Sequence, residues 1–295
     1  MSGLPSAQEE LLLTHFIVSD DIERSQRFYT EVLGGRVAFS NPAGPTNVAL
    51  SNSWIVINAG GGPTDDKPEV TLKTPSNPDR VSSFVNIRVE NMAKVYAEWG
   101  ARGAQFLTSP KQHQYEIRCY IRDPDGHLIE VGQTTDPSGD WVPDHWPAEG
   151  IVLAHFIVSN DVERSRHFYT DVLGGRLAFS GPGGLTYVQL SNSWVIINVG
   201  GGPTDDKPEV TLETPHDLNQ VSSFLNIRVT DINAVYSEWS ARGAQFLTPL
   251  KHHKYEARCY IRDPDGHLIE VGQTTDPNGD WFPDRRSSGN SESDC

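Results

Sequence analysis

Read for its alternation of apolar and polar residues, the chain divides into short strands and amphipathic helices. Leu13-Thr14-His15-Phe16-Ile17-Val18 predicts a first strand. Asp20 and Asp21 offer N-caps to a helix running through Leu33, whose stripe holds Ile22, Phe28, Tyr29, Val32 and Leu33. Gly34-Gly35 supplies its stop. Strands follow at 36–40, at 47–57 in one or two pieces, and at 69–74, with Gly60-Gly61-Gly62-Pro63 looping between the last two. The order then restarts. Phe84–Val89 reads as a strand, and Asn91 caps a helix that buries Met92, Val95, Tyr96 and Trp99. Gly103 closes that helix, and strands at 105–107, 116–122 and 127–132 complete the unit.

The whole pattern then recurs. RCYIRDPDGHLIEVGQTTDP at Arg118–Pro137 returns unchanged at Arg258–Pro277, and the offset of 140 holds across the chain. Each half carries two βαβββ units, so the expected fold is α+β with four such units in two tandem repeat domains. The expected bounds are a leader at 1–12, a first domain at 13–150, a second at 151–284 and a disordered tail at 285–295. Asp140-Trp141 recurs as Asp280-Trp281, which places that segment within the repeat. The halves are expected to pair as an intrachain pseudo-dimer, a geometry that also admits a homodimer.

Charge and cysteine usage narrow the class. A net charge of −15 argues against a nucleic-acid partner, whose phosphates need a basic surface. No apolar run reaches the roughly 18 residues of a membrane span, and no signal peptide is evident at the N-terminus, so no membrane role is expected. The three cysteines, Cys119, Cys259 and Cys295, make no disulfide framework, and a reducing cytoplasm is the expected setting. The glycine run at 60–62 lacks the Lys-Ser/Thr and the strand-to-helix context of a phosphate cradle.

Alternation also sorts the polar residues by face. Ile117, Cys119 and Ile121 face one way, and Glu116, Arg118 and Tyr120 the other. Val85, Ile87 and Val89 likewise oppose Asn86 and Arg88. A helix covers the apolar face, so Asn86, Arg88, Arg118 and Tyr120 lie on the other, which either simply meets water or lines a pocket in which they are the candidate substrate-binding residues. Their repeat equivalents are Asn226, Arg228, Arg258 and Tyr260. Two titratable residues sit on otherwise apolar strand faces: His15 with Leu13 and Ile17, and Glu130 with Leu128 and Gly132. Their equivalents are His155 and Glu270. A buried carboxylate is costly unless a metal, a charge or water offsets it, so these four are candidate metal ligands.

The helix FYTEVLGG together with DPDGHLIE resembles the vicinal oxygen chelate superfamily, which includes glyoxalase I, bleomycin-resistance proteins, fosfomycin-resistance transferases and extradiol dioxygenases. The resemblance covers both halves. It implies paired half-open mixed barrels around a divalent metal (Zn, Ni, Mn or Fe) that takes two adjacent oxygens of a small-molecule substrate. Glu130 and Glu270 match the last-strand ligand. A gapless register puts Thr14 at the first-strand ligand position, and a one-residue adjustment in the Asp20-Asp21 loop puts His15 there. Glu69 and Glu209 resemble the inner glutamate of glyoxalase I. The implied metal set is therefore His15, Glu69 and Glu130, with His155, Glu209 and Glu270. The four glutamates are also candidate catalytic bases. At the start of the second unit, where dioxygenases place a His, stand Phe84 or Asn86. The expected function is a metal-dependent glyoxalase-like lyase or isomerase. The alternatives are an extradiol-type Fe(II) dioxygenase, or a non-catalytic small-molecule binder of the antibiotic-sequestering kind.

Overall fold

A computed structural model describes residues 11–41, 44–136 and 150–275. The Trp141 and Trp281 segments, the expected tail and residues 1–10 of the expected leader lie outside the described residues. Strand β1 is Leu11–Ser19, so it starts within the expected leader. Helix α1, Ile22–Arg27, follows, and the side chain of Asp21 accepts from the Arg24 N–H at its start. A wider turn, Phe28–Val32, continues it, and Gly34 at φ +85° ends it. Strands β2 (Arg36–Ser40), β3 (Thr46–Leu50) and β4 (Ser53–Ala59) complete the first unit. The second unit is β5 (Ser83–Val89), α2 (Met92–Ala101), the short strand Gln105–Phe106, β6 (Glu116–Arg122) and β7 (Leu128–Thr134).

The second half repeats this. It holds β8 (Ile151–Val158), α3 (Val162–His167), β9 (Arg176–Ser180), β10 (Thr186–Leu190) and β11 (Ser193–Asn198). After them come β12 (Ser223–Val229), α4 (Ile232–Ala241), β13 (Glu256–Arg262) and β14 (Leu268–Thr274). The fold class is the expected one, with two open, mixed sheets rather than closed barrels. The predicted strand at 69–74 shrinks to Thr71–Leu72. Ahead of it the Lys67 ammonium donates to the carbonyls of Gly62 and Val70, which folds this stretch into a turn.

The two halves are interlaced. β1 runs antiparallel to β12 of the other half, from Leu11 opposite Val229 to Ile17 opposite Ser223, and β8 pairs with β5 in the same way. Each sheet therefore joins the first unit of one half to the second unit of the other. One has the order β13-β14-β12-β1-β4-β3-β2, and the other β9-β10-β11-β8-β5-β7-β6. Two short parallel pairs, Thr71–Leu72 with Gln220–Val221 and Arg80–Val81 with Thr211–Leu212, strap the halves together again. At the pseudo-twofold axis Asn52 and Asn192 clasp each other. Each side-chain amide donates to the other's carbonyl, at 2.8 and 2.7 Å, and to a carbonyl of the other half's first strand.

The helices cover one face of each sheet. Beneath them lie Leu33, Met92 and Trp99 in the first half and Leu173, Ile232 and Trp239 in the second, all buried. A side chain such as Leu33 contributes roughly 2 kcal/mol by leaving water. Along β1, Leu11 and Leu13 enter the core of the second half and Ile17 that of the first. His15 lies where the strand crosses between them. The helices leave the opposite face of each sheet uncovered, and that of the Glu130 sheet curves into a cleft.

Candidate functional site

Strand register builds the cleft floor. In the second sheet Ala154 lies opposite Asn86, Asn86 beside Glu130, and Glu130 opposite Tyr120, so four side chains form one row on the uncovered face. Glu130 is 5% exposed and both of its oxygens are engaged. Asn86 Nδ2 donates to Oε1 at 2.7 Å and the Tyr120 hydroxyl donates to Oε2 at 2.7 Å. The other sheet carries Thr14, Asn226, Glu270 and Tyr260, with donations to Glu270 at 2.6 Å from both Asn226 and Tyr260. There Thr14 Oγ1 adds a bond to Asn226 Oδ1 at 3.1 Å.

The next row holds the arginines. Gly132 stands between Arg88 and Arg118 in register. A Cβ on Gly132 would lie 2.1 Å from Arg88 Nη1, so the absence of a side chain there makes room for the guanidinium. Arg88 donates to Glu116 at 2.7 Å and to Thr134 at 3.0 Å, and its Nη1 lies 3.9 Å from Glu130. Arg118 donates to Glu116 at 2.9 Å and, through Nε, to Asp206 of the other half at 2.6 Å. His113 Nε2 lies 3.0 Å from the same Asp206 oxygen. Phe156, Leu185, Tyr187, Ile196 and Asn198 of the second half close the opposite wall. Between the walls lies a cavity of about 200 Å³.

Burial and charge set the protonation. Loss of water pushes the Glu130 carboxyl up, and the pull of Arg118 and Arg88 only partly offsets it. Burial also opposes charge on Asp206 and Glu116. The Thr204 hydroxyl and Arg118 outweigh it for Asp206, and Arg88 and Arg118 outweigh it for Glu116, so both carboxyls stay below the usual range. Tyr120 is driven well up by burial and by Glu130, which keeps it a hydroxyl donor. The two arginines thus share the Glu116 carboxylate, and Arg118 has that of Asp206 besides. The floor glutamate is held by neutral donors.

The expected residues divide into two groups. Asn86, Arg88, Arg118, Tyr120 and Glu130 come together, as do Asn226, Arg228, Arg258, Tyr260 and Glu270. The expected trio of His15, Glu69 and Glu130 does not assemble. His15 pairs with Leu225 in register and points to the covered face, where its Nδ1 lies 3.2 Å from Nδ1 of His155. His15 and Glu130 also belong to different sheets. Thr14, one residue earlier, occupies the floor instead, as the gapless register implies. Glu69 and Glu209 sit on exposed turns, because the strand that would have carried them inward begins only at Thr71 and Thr211. Asp206 and Asp66 were not foreseen: they lie in non-periodic Thr-Asp-Asp-Lys loops that reach the cleft across the halves. Tyr187 and Phe156 were missed for the same reason, since each cleft takes one wall from each half.

A divalent metal at the floor is poorly served by these residues. Ala154 or Thr14 stands at the first-strand position, Asn86 or Asn226 at the second, and the single carboxylate already accepts two short hydrogen bonds. Two other groups have donor atoms within 4.8 Å of one another, His113 with Asp205 and Asp206, and His253 with Asp65 and Asp66. Asp206 and Asp66 in these groups already pair with Arg118 and Arg258.

The model of the Glyoxalase/Bleomycin resistance protein/Dioxygenase superfamily matches residues 12–131 and 152–271, and the chain belongs to that superfamily. Glyoxalase I from Zea mays superposes with a TM-score of 0.60 at 14% identity, over 89% of this chain and 93% of that one. A putative dioxygenase from Bacillus subtilis superposes with a TM-score of 0.51 at 14% identity, over 89% and 85%. At these identities the likeness is one of fold. Biphenyl-2,3-diol 1,2-dioxygenase 3 of Rhodococcus globerulus is 25% identical over 120 residues, which are 40% of this chain and 61% of that protein. The chain thus spans less than two thirds of that relative. Among the described residues no helix is long and apolar enough to cross a membrane.

Proposed function

We propose that this member of the superfamily binds small molecules in two clefts, one at each junction of its halves, without a catalytic metal on the cleft floor. One observation carries the reading. Both oxygens of Glu130 are occupied by neutral donors, Asn86 and Tyr120, at 2.7 Å. The carboxylate keeps lone pairs beyond those two bonds, but the neighbouring floor positions, Asn86 and Ala154, offer no imidazole or second carboxylate to complete a metal site beside it. What the Glu130 cleft presents to a ligand is a hydrogen-bonding floor, two arginines already neutralised by Glu116 and Asp206, and a mostly apolar opposite wall. That is the usual make-up of a small-molecule pocket, where a few polar groups orient a ligand among apolar ones.

A metal-dependent lyase or isomerase of glyoxalase type is the second reading, favoured by the His113, Asp205 and Asp206 group at the cleft rim. Metal there would compete with Arg118 for Asp206. An Fe(II) dioxygenase of the two-histidine, one-carboxylate kind is less well served, because His113 is the one histidine among the described cleft-lining residues. Metal content, by elemental analysis of untagged protein, separates these readings. The proposed function expects substoichiometric Zn, Ni, Mn and Fe, unchanged in Glu130→Ala, Glu270→Ala and the double variant. One metal per cleft, lost stepwise in those variants, refutes it. Metal lost instead in His113→Ala and His253→Ala would establish the rim site.

A further inference from the structure

We propose that the two clefts take different ligands: the Glu130 cleft a neutral monocyclic aromatic molecule bearing an N–H or O–H donor, the Glu270 cleft a non-aromatic polar one. This rests on the binding function proposed above. The repeat makes most of the two polar walls identical, since Arg118–Pro137 and Arg258–Pro277 match residue for residue. The difference comes from the opposite walls, supplied by the other half in each case.

Two exchanges matter. Tyr187 lies opposite Ile196 in the Glu130 sheet, and Asn47 lies opposite Val56 at the same register in the Glu270 sheet. Tyr187 extends an apolar cluster that includes Phe156, Trp194 and Ile196, and its ring meets Phe179 edge-on at 5.6 Å. Asn47 is 1% exposed, and its Oδ1 has no hydrogen-bond partner among the described residues.

The second exchange is Ala154 for Thr14. The Glu130 carboxylate fixes the orientation of the Asn86 amide, because only its NH₂ can donate to it. Asn86 Oδ1 therefore points away from Glu130. It is buried and has no partner among the described residues. In the twin cleft Thr14 donates to the corresponding Asn226 Oδ1 at 3.1 Å. The Glu130 cleft thus holds an open acceptor on its floor beneath an aromatic wall. The Glu270 cleft has that acceptor closed and an open one on its far wall instead. A buried acceptor left open favours a ligand donor at that point. The cavity of about 200 Å³ has room for one ring, since an apolar cavity of roughly 150 Å³ holds benzene. Pairing of Arg88 with Glu116 and of Arg118 with Asp206 favours a neutral ligand over an ionic one.

The probe is 4-fluorobenzamide, followed by ¹⁹F line broadening against the full-length chain. Wild type is expected to bind one saturable equivalent. Ala154→Thr closes the Asn86 acceptor as Thr14 does in the twin, and is expected to weaken binding about 3- to 10-fold. Tyr187→Asn is expected to weaken it at least as much, and Thr14→Ala with Asn47→Tyr to add a second equivalent. Thr and Asn occupy these positions in the other cleft, so the variants suit the fold, and dispersed proton spectra check that. Two equal equivalents in wild type, insensitive to Ala154→Thr and Tyr187→Asn, overturn the difference between clefts while leaving the binding function intact. No saturable broadening at concentrations on the order of 10 mM overturns the aromatic assignment. The binding function itself fails separately, on the metal analysis above.

Discussion

Lowering the pH is expected to destabilise the protein through the histidine pair on its axis. His15 and His155 are wholly buried, with Nδ1 atoms 3.2 Å apart, so one ring donates and the other accepts, and both are neutral. Burial lowers the pKa of His15 from 6.5 to about 3 and that of His155 well below its ordinary value. A histidine depressed in the folded state takes up its proton only on unfolding. The neutral pair therefore contributes fully above pH 6.5, and its contribution is lost as the pH falls from 6.5 toward 3. A pH unit in that window weakens the fold by a little over 1 kcal/mol per histidine, so His15 alone accounts for roughly 3 kcal/mol by pH 4.5. His155 acts in the same direction. The comparison protein is His15→Leu/His155→Leu, because a single change would leave the other Nδ1 buried without a partner. Urea unfolding of both proteins at pH 7.5, 6.0 and 4.5 cancels the carboxylates common to both. The stability of wild type relative to the variant should fall by about 3 kcal/mol or more across that range. A difference that stays constant within about 0.5 kcal/mol would refute the assignment of a neutral, buried pair.

Gly132→Ala, and independently Gly272→Ala, should each cost about 1–3 kcal/mol in urea unfolding, because a Cβ 2.1 Å from an arginine Nη1 must displace a side chain held by Glu116 or Glu256. Wild-type stability for either would mean that the arginine swings clear without loss. Asp206→Ala leaves Arg118 without its inter-half carboxylate, and a loss of about 3 kcal/mol is expected in thermal or urea unfolding. An unchanged midpoint would show that Glu116 alone suffices for Arg118.

Much of the cleft was legible in the sequence, because a half-buried strand declares its faces. Asn86, Arg88, Arg118 and Tyr120 alternate with apolar residues, and the structure puts all four on one surface with Glu130. His15 shows the limit of that signal. A strand has a period of two, so a shift of one residue moves a side chain through the sheet. The helix motif fixed the first strand only to within that residue. Thr14 faces the cleft, and His15 the core. Glu69 failed differently: its apolar neighbours Val70 and Leu72 suggested a strand, but Lys67 organises a turn that delays it. The interlacing of the halves left no trace at all, because β5 can pair with a first strand of its own half or of the other, and in a repeat the two partners are nearly the same sequence.

That interlacing bears on how such a protein can change over time. In a symmetric dimer of identical half-length chains, every substitution would appear in both clefts at once. Here each cleft has its own address in the gene, with one wall encoded before residue 136 and the other after residue 150. A single mutation reshapes one cleft and leaves its twin untouched. Tyr187 against Asn47 and Ala154 against Thr14 are the kind of divergence that this arrangement permits, around a polar wall that both clefts still share.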